Sequence, residues 1–170
     1  MSEVVIALNQ MVAAGVARSY AIGGAVGAQF YLEVPSTEDI DVFVILSNEN
    51  SLGLDAFSPV YAYFVGRGSK LDGVYIVIGD WPVQILPAPS KLHQEAVDEA
   101  RDFKIADQSV RVIAPEHLAL IALELGRLKD KARLLEFLKL DSFDRAVFDS
   151  GVARFGLSDK WASFQAQFLS

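Results

Sequence analysis

The chain has 170 residues, just over half of them apolar, with 22 acidic against 15 basic side chains, a net charge of −7 and no cysteine. That length and apolar content suit one domain with a continuous core. The missing cysteines exclude disulfides and thiolate chemistry. The acidic balance argues against a broad basic surface for duplex DNA, though not against a polyanionic ligand whose charge metal ions neutralise locally. No apolar run reaches membrane-spanning length. The opening MSEVVIALNQMVAAG carries an acid and lacks the basic and long apolar regions of a secretory signal, so a cytoplasmic protein is expected.

Along the chain, Val4, Val5, Leu8, Met11 and Val12 recur at helical spacing up to Gly15. A short apolar stretch, Tyr20–Ile22, runs into Gly23 and Gly24, and residues 25–33 read as a helix closed before Pro35. Residues 40–46, IDVFVIL, have the β-branched, unbroken apolar character of a central strand buried on both faces. Residues 48–59 begin as a loop, and 56–65 lean to helix over strand. VYIVI (74–78) and VQIL (83–86) flank the turn-rich GDWP and predict a hairpin. Residues 90–101 predict a helix with Ser90 as N-cap, and 109–113 a last strand. Pro115, allowed in a first helical turn, opens a long helical region. This order predicts an α/β sheet core, residues 1–113, with a helical C-terminal part, 114–170, packed on it.

Asp39 and Asp41 stand at the head of that central strand, on one face, with Ile40 on the other. Carboxylates this close repel, and one is driven to protonate unless a cation lies between them. A divalent metal resolves this, and oxygen ligands suit magnesium, which also takes substrate phosphates. The alternative is a loop-end Asp39 and an Asp41 on the sheet rim. Gly23 and Gly24 lie between a short strand and a helix, where bare backbone N–H groups can cradle a phosphate or simply make a tight turn. The spacing Gly23, Gly24, Gly27 is not G-x-G-x-x-G, and the acids open the next strand instead of ending it, so a dinucleotide fold is excluded.

A glycine pair at a helix start followed, fifteen residues on, by Asp-apolar-Asp-apolar resembles the signature of the nucleotidyltransferase (polymerase β-like) superfamily. The segment STEDIDVFV is similar to the T-x-D-I-D version in AbiEii-like abortive-infection toxins, and Arg127, Lys129 and Asp130 match that group's R-x-K-D. The resemblance spans roughly residues 18–138. It implies a nucleotidyltransferase-like mixed sheet with flanking helices. It also implies a magnesium- or manganese-dependent enzyme that transfers a nucleoside monophosphate from a nucleoside triphosphate to a hydroxyl. In that reading Asp39 and Asp41 are the catalytic and metal-holding residues. Gly23, Gly24, Thr37, Arg127, Lys129 and Asp130 bind the nucleotide. The acceptor is a tRNA end, a protein hydroxyl or a small molecule, and a toxin-type member would have a cognate antitoxin. Two positions depart from the pattern: Gln84 stands where a third acid is common, and Glu124 where a lysine is. Both leave open a catalytically impaired protein that binds nucleotide or another protein.

On a continuous helix, Leu118, Ile121, Leu125, Leu128, Ala132 and Leu135 share one face, with Lys129 at its border and Asp130 turned away. If Gly126 instead ends one helix and a second starts near Leu128, Lys129 and Asp130 fall in a first turn and can face the sheet. Both readings stand. Arg127, Lys129, Lys131 and Arg133 otherwise form an ordinary solvated face. His93 and His117 lack zinc-site spacing and suit polar or capping roles. Ser36 suits a turn, a cap or a phosphate contact, and Trp81 suits core packing or stacking on a base. Trp161, Phe164, Phe168 and Leu169 predict a helix docked on the core or on another subunit.

Overall fold

The computed structural model describes residues 1–33, 35, 37–47 and 54–169. Helix α1 (Ser2–Ala13) leads to β1 (Ala17–Ile22), the short α2 (Gly24–Gln29) and β2 (Ile40–Leu46). A 3-10 turn (Leu54–Phe57) and α3 (Ser58–Val65) precede β3 (Lys70–Asp72), β4 (Tyr75–Ile78) and β5 (Trp81–Pro87). Then come α4 (Lys91–Asp98), β6 (Arg101–Ile105), β7 (Gln108–Val112), α5 (Pro115–Leu125), α6 (Leu128–Phe137), α7 (Arg145–Arg154) and α8 (Ser158–Phe168). The strands form one seven-stranded mixed sheet in the order β3-β4-β5-β2-β1-β7-β6, with β2 at its centre. Among the described residues, no helix is long and apolar enough to cross a membrane.

Strand β2 divides the core, as its unbroken apolar sequence predicts. Ile40, Val42 and Val44 face α1 and α3, packing with Leu8, Met11 and Phe64. Phe43 and Ile45 face the opposite side, with Leu92 of α4 and Leu118 and Ile121 of α5. Strand β1 runs antiparallel to β2, bringing Ile22 opposite Val42, while β5 runs parallel and sets Gln84 beside Asp41. The turn after β1 and the head of β2 therefore meet at one end of the sheet.

Both edge strands, β3 and β6, escape the sequence reading. Lys70, Leu71 and Asp72 are all exposed, and Arg101, Asp102 and Lys104 line the other edge, the polar composition by which sheets discourage further pairing. The predicted helix 90–101 accordingly stops at Asp98 and gives way to β6; the helix predicted over 25–33 stops at Gln29. The hairpin forms around Gly79 and Asp80, and 56–65 is helical from Ser58. The loop at 48–53 and Ser36 lie outside the described residues. Trp81 belongs to β5 and packs into the core on the α1/α3 side. Trp161 and Phe164 dock α8 onto the opposite core.

Polar ties fasten the C-terminal helices. Buried Glu116 of α5 accepts from Arg101 and from the backbone N–H of Asp144 at 2.9 Å each. Arg154 of α7 donates two 2.7 Å bonds to Glu95 of α4, holding that carboxyl down at about pKa 2.

Between α5 and α6 the helical axis breaks. Gly126 adopts a left-handed conformation (φ 66°) at the α5 C-terminus, and Arg127 becomes the N-cap residue of α6. The second of the two helical readings is the observed one: Asp130, Leu134 and Phe137 form the buried stripe of α6, and Asp130 is only 1% exposed. Replacing Gly126 with alanine forces a Cβ into left-handed backbone, so Gly126→Ala should lower unfolding free energy by about 1–2 kcal/mol. Urea denaturation should show this as a lower midpoint at unchanged slope.

Candidate active site

The break at Gly126 aims Arg127, Lys129 and Arg133 at the head of β2, across a cavity of about 460 Å³. That volume lies within the range of small-molecule sites. Gly24, Thr37, Asp39, Asp41, Gln84 and Asp130 also line it. Of the residues expected at a site, Gly24, Thr37, Asp39, Asp41, Arg127, Lys129 and Asp130 are thus brought together. Gly23 lies just behind, buried at the N-cap of α2.

The glycine turn and the aspartate strand are joined through backbone. The N–H of Gly23 donates to the carbonyl of Asp41 at 2.9 Å. A Cβ on Gly23 would meet the Phe43 ring at 2.7 Å, and one on Gly24 would collide with the Asp41 carboxylate. Gly24 is also left-handed (φ 56°), so a bare backbone is required there both by conformation and by space.

The two aspartates have different surroundings. Asp39 Oδ1 accepts from the Thr37 hydroxyl at 2.7 Å, and Oδ2 from the Tyr75 hydroxyl at 3.4 Å. The carboxylate of Asp41, which is half-buried, has no hydrogen-bond or ion-pair partner among the described residues. Burial raises its pKa, the charge of Asp39 raises it further, and Lys129, Arg127 and Arg133 oppose both. Lys129 is exposed and likewise has no ion-pair partner among the described residues. Asp130 differs again: Arg127 donates to both its oxygens, at 2.5 and 3.2 Å, and Arg133 lies 3.9 Å away. A buried carboxylate held by two guanidinium groups orients both of them.

Three residues in or beside the site, Arg133, Tyr75 and His93, are not site candidates in the sequence reading. Arg133 lies three positions beyond Asp130 on the same side of α6, and it lines the cavity with it. Tyr75 sits opposite Gln84, a pairing that follows from counting outward from the hairpin turn. His93 lines the cavity beside Phe43, with ring centroids 5.4 Å apart. The sequence had given it a capping role, and the Ser90 hydroxyl does lie 2.8 Å from its Nδ1. His117 is elsewhere, grouped with Glu95 and Glu99 on α4 and α5. Both oxygens of Glu95 are already bonded to Arg154, and Nδ1 of His117 has no hydrogen-bond partner among the described residues.

No family model and no curated protein matches the sequence. Solved structures do. The crystal structure of an antigenic nucleotidyltransferase-like protein from Paracoccidioides brasiliensis superposes with a TM-score of 0.58 at 12% identity, over 99% of this chain and 96% of that one. The fold is nucleotidyltransferase-like. The antibiotic-resistance factor ANT(2'')-Ia also aligns, more loosely. Its solution structure gives a TM-score of 0.42 at 17% identity over 98% of this chain and 91% of that one. Its crystal structure in complex with adenylyl-2''-tobramycin gives 0.44 at 14%, over 98% and 95%. Neither bears on the site. Within the nucleotidyltransferase-like fold, the paired aspartates open the central strand and the glycine turn abuts them.

A carboxyl whose pKa is raised by folding holds its proton more tightly in the native state than in the unfolded chain. Ionising it therefore costs stability as pH rises through the folded value. Metal-free Asp41→Asn should be more stable than wild type at pH 8, by about 2–4 °C in melting temperature per kcal/mol relieved. The gain should shrink to nothing once the pH falls below the ordinary carboxylate range. Calorimetric melting across that pH series in chelator checks the sign.

Proposed function

We propose that this protein is a divalent-metal-dependent nucleotidyltransferase, passing a nucleoside monophosphate from a nucleoside triphosphate to a hydroxyl acceptor. The observation that carries the reading is the Asp41 carboxylate: half-buried, beside a second carboxylate, without an ion-pair partner among the described residues, and pressed against a glycine whose Cβ would fill the adjoining space. The donor set is oxygen only, which fits magnesium or manganese. Asp39 and Asp41 would hold the ion, which when bound supplies charge neutralisation at the transferring phosphoryl group.

The chain's own groups account for the rest. The acceptor oxygen bonds to the α-phosphorus, the α–β anhydride bond breaks, and pyrophosphate leaves. The N–H groups of the turn from Gly24 onward and the Lys129 ammonium would bind the outgoing phosphates, the Gly23 N–H being held by the Asp41 carbonyl. Asp130 would set Arg127 and Arg133 on the same side of the cavity. Gln84 cannot accept the acceptor's proton, which leaves Asp39 or solvent. Thr37 and Tyr75 hold Asp39 in place. The segment Thr37–Asp41 and the Arg127, Lys129, Asp130 set further support an AbiEii-like subtype. Its acceptor would be a tRNA end, a protein hydroxyl or a small molecule, and a toxin-type member would work inside the cytoplasm opposite a cognate antitoxin.

Gln84 favours a second reading. It occupies the position next to Asp41 from which a third carboxylate would reach the metal, and its neutral amide suits a nucleotide-binding module without turnover. Pyrophosphate release from the four nucleoside triphosphates, with magnesium or manganese and a panel of tRNA, protein and small hydroxyl acceptors, separates the two. Under the enzymatic reading, Asp39→Asn/Asp41→Asn should lower the rate at least ~10³-fold, a loss of the size seen when charge stabilisation is removed. Nucleotide binding without release in any arm would establish the module instead. Gln84→Asp, restoring an anionic ligand, should tighten manganese binding by about tenfold or more, read by calorimetry. Unchanged manganese affinity would place the ion away from Gln84.

A further inference from the structure

The cavity has two chemically distinct halves. One carries Asp39, Asp41, Arg127, Lys129 and Arg133; the other is walled by Phe43, Leu86, Leu118 and Ile121, with Pro87 and Pro89 at its rim. Phe43 lies two residues beyond Asp41 on the same face of β2, about 7 Å along the strand. The apolar half thus begins one sugar's reach from the charged half. Among the described lining residues, the one side chain there that can exchange hydrogen bonds is His93.

His93 is held in place by its neighbours. It is 9% exposed and lies beside the Phe43 ring, and the Ser90 hydroxyl is 2.8 Å from Nδ1. That hydroxyl accepts from the His93 backbone N–H and can give its own proton to Nδ1; on that assignment the ring hydrogen of the neutral imidazole sits on Nε2. Nε2 faces Glu124 Oε2 at 3.7 Å, too far for a hydrogen bond. Neither atom has another hydrogen-bond partner among the described residues. His93 lines the apolar slot, and the Glu124 carboxylate stands beside it, between the lining residues Ile121 and Leu125 of α5 in sequence.

We propose that His93 and Glu124 read the edge of a nucleobase, making them the specificity-determining pair of this site. The proposal rests on the nucleotidyltransferase reading above. The triphosphate lies in the charged half, and the base slides between Phe43 and the α5 side chains Leu118 and Ile121. There the Nε2–H donates to a ring nitrogen or carbonyl of the base, and the Glu124 carboxylate accepts from an adjacent N–H. Bases differ in the order and spacing of those groups along that edge, so a fixed donor beside a fixed acceptor distinguishes them. The glutamate that departs from the expected lysine at position 124 thereby acquires a role.

The test is calorimetric binding of ATP, GTP, CTP, UTP and inorganic tripolyphosphate, each with magnesium, to wild type, His93→Phe and Glu124→Gln. Wild type should prefer its best base over its worst by about tenfold or more, the worth of one good bidentate contact. His93→Phe keeps the aromatic packing on Phe43 and should bring the four affinities together by weakening the best. Glu124→Gln, which adds donors where only acceptors stood, should reorder them. Tripolyphosphate should bind all three proteins alike, which also verifies that the variants are folded. Equal affinity of wild type for all four triphosphates, or an equal loss across all four in both variants, overturns base reading while leaving the nucleotide site intact. Failure of wild type to bind any triphosphate or tripolyphosphate removes the underlying reading, and this one with it.

Discussion

The site depends on the antiparallel pairing of β1 with β2. That pairing puts Ile22 opposite Val42, so the next residue of the first strand, Gly23, bonds through its N–H to the carbonyl of Asp41. A turn that must pass so close to a carboxylate admits no side chain on its near side, and Gly24 supplies none. The glycine turn and the acidic pair are thus two consequences of one register. Slipping it by a residue would turn Asp39 and Asp41 into the α1/α3 core and Val42 into the cavity.

Electrostatic tension is concentrated at the same place. The protein is acidic overall, yet its cations gather across the cavity from Asp41 without neutralising it directly. Asp130 takes up Arg127, leaving Lys129 and Asp41 as opposed charges without an ion-pair partner among the described residues. Such an arrangement costs native stability in the empty protein, and under the proposed function a ligand that carries both signs would relieve it. A structural ion pair would have closed the gap between the walls.

What the sequence reveals, and what it hides, follows from how locally each feature is encoded. The bounds of β2 were legible because a strand buried on both faces must be apolar at every position. The edge strands were not, since an edge is selected to look unlike a strand, and Arg101–Ile105 and Lys70–Asp72 do. The aspartates and glycines were readable as a spaced pattern. The role of Asp130 turned on whether one residue, Gly126, continues a helix or ends it, and only the backbone shows that it ends it. His93 was visible as a capped histidine but not as a cavity wall, because what brings it there is the stacking of α4 on Phe43, a contact between segments fifty residues apart in the chain.

Helix α8 lies outside the cavity but bears on its geometry. The Lys160 ammonium donates to the carbonyl of Glu124 in the last turn of α5, and Lys131 donates to Gln167 at 3.3 Å. These bonds brace the corner at which α5 gives way to α6, the corner from which the cationic wall springs. Loosening α8 would therefore free the corner that sets Arg127, Lys129 and Arg133 over the cavity, so the outer helix contributes to the shape of a chamber it does not line.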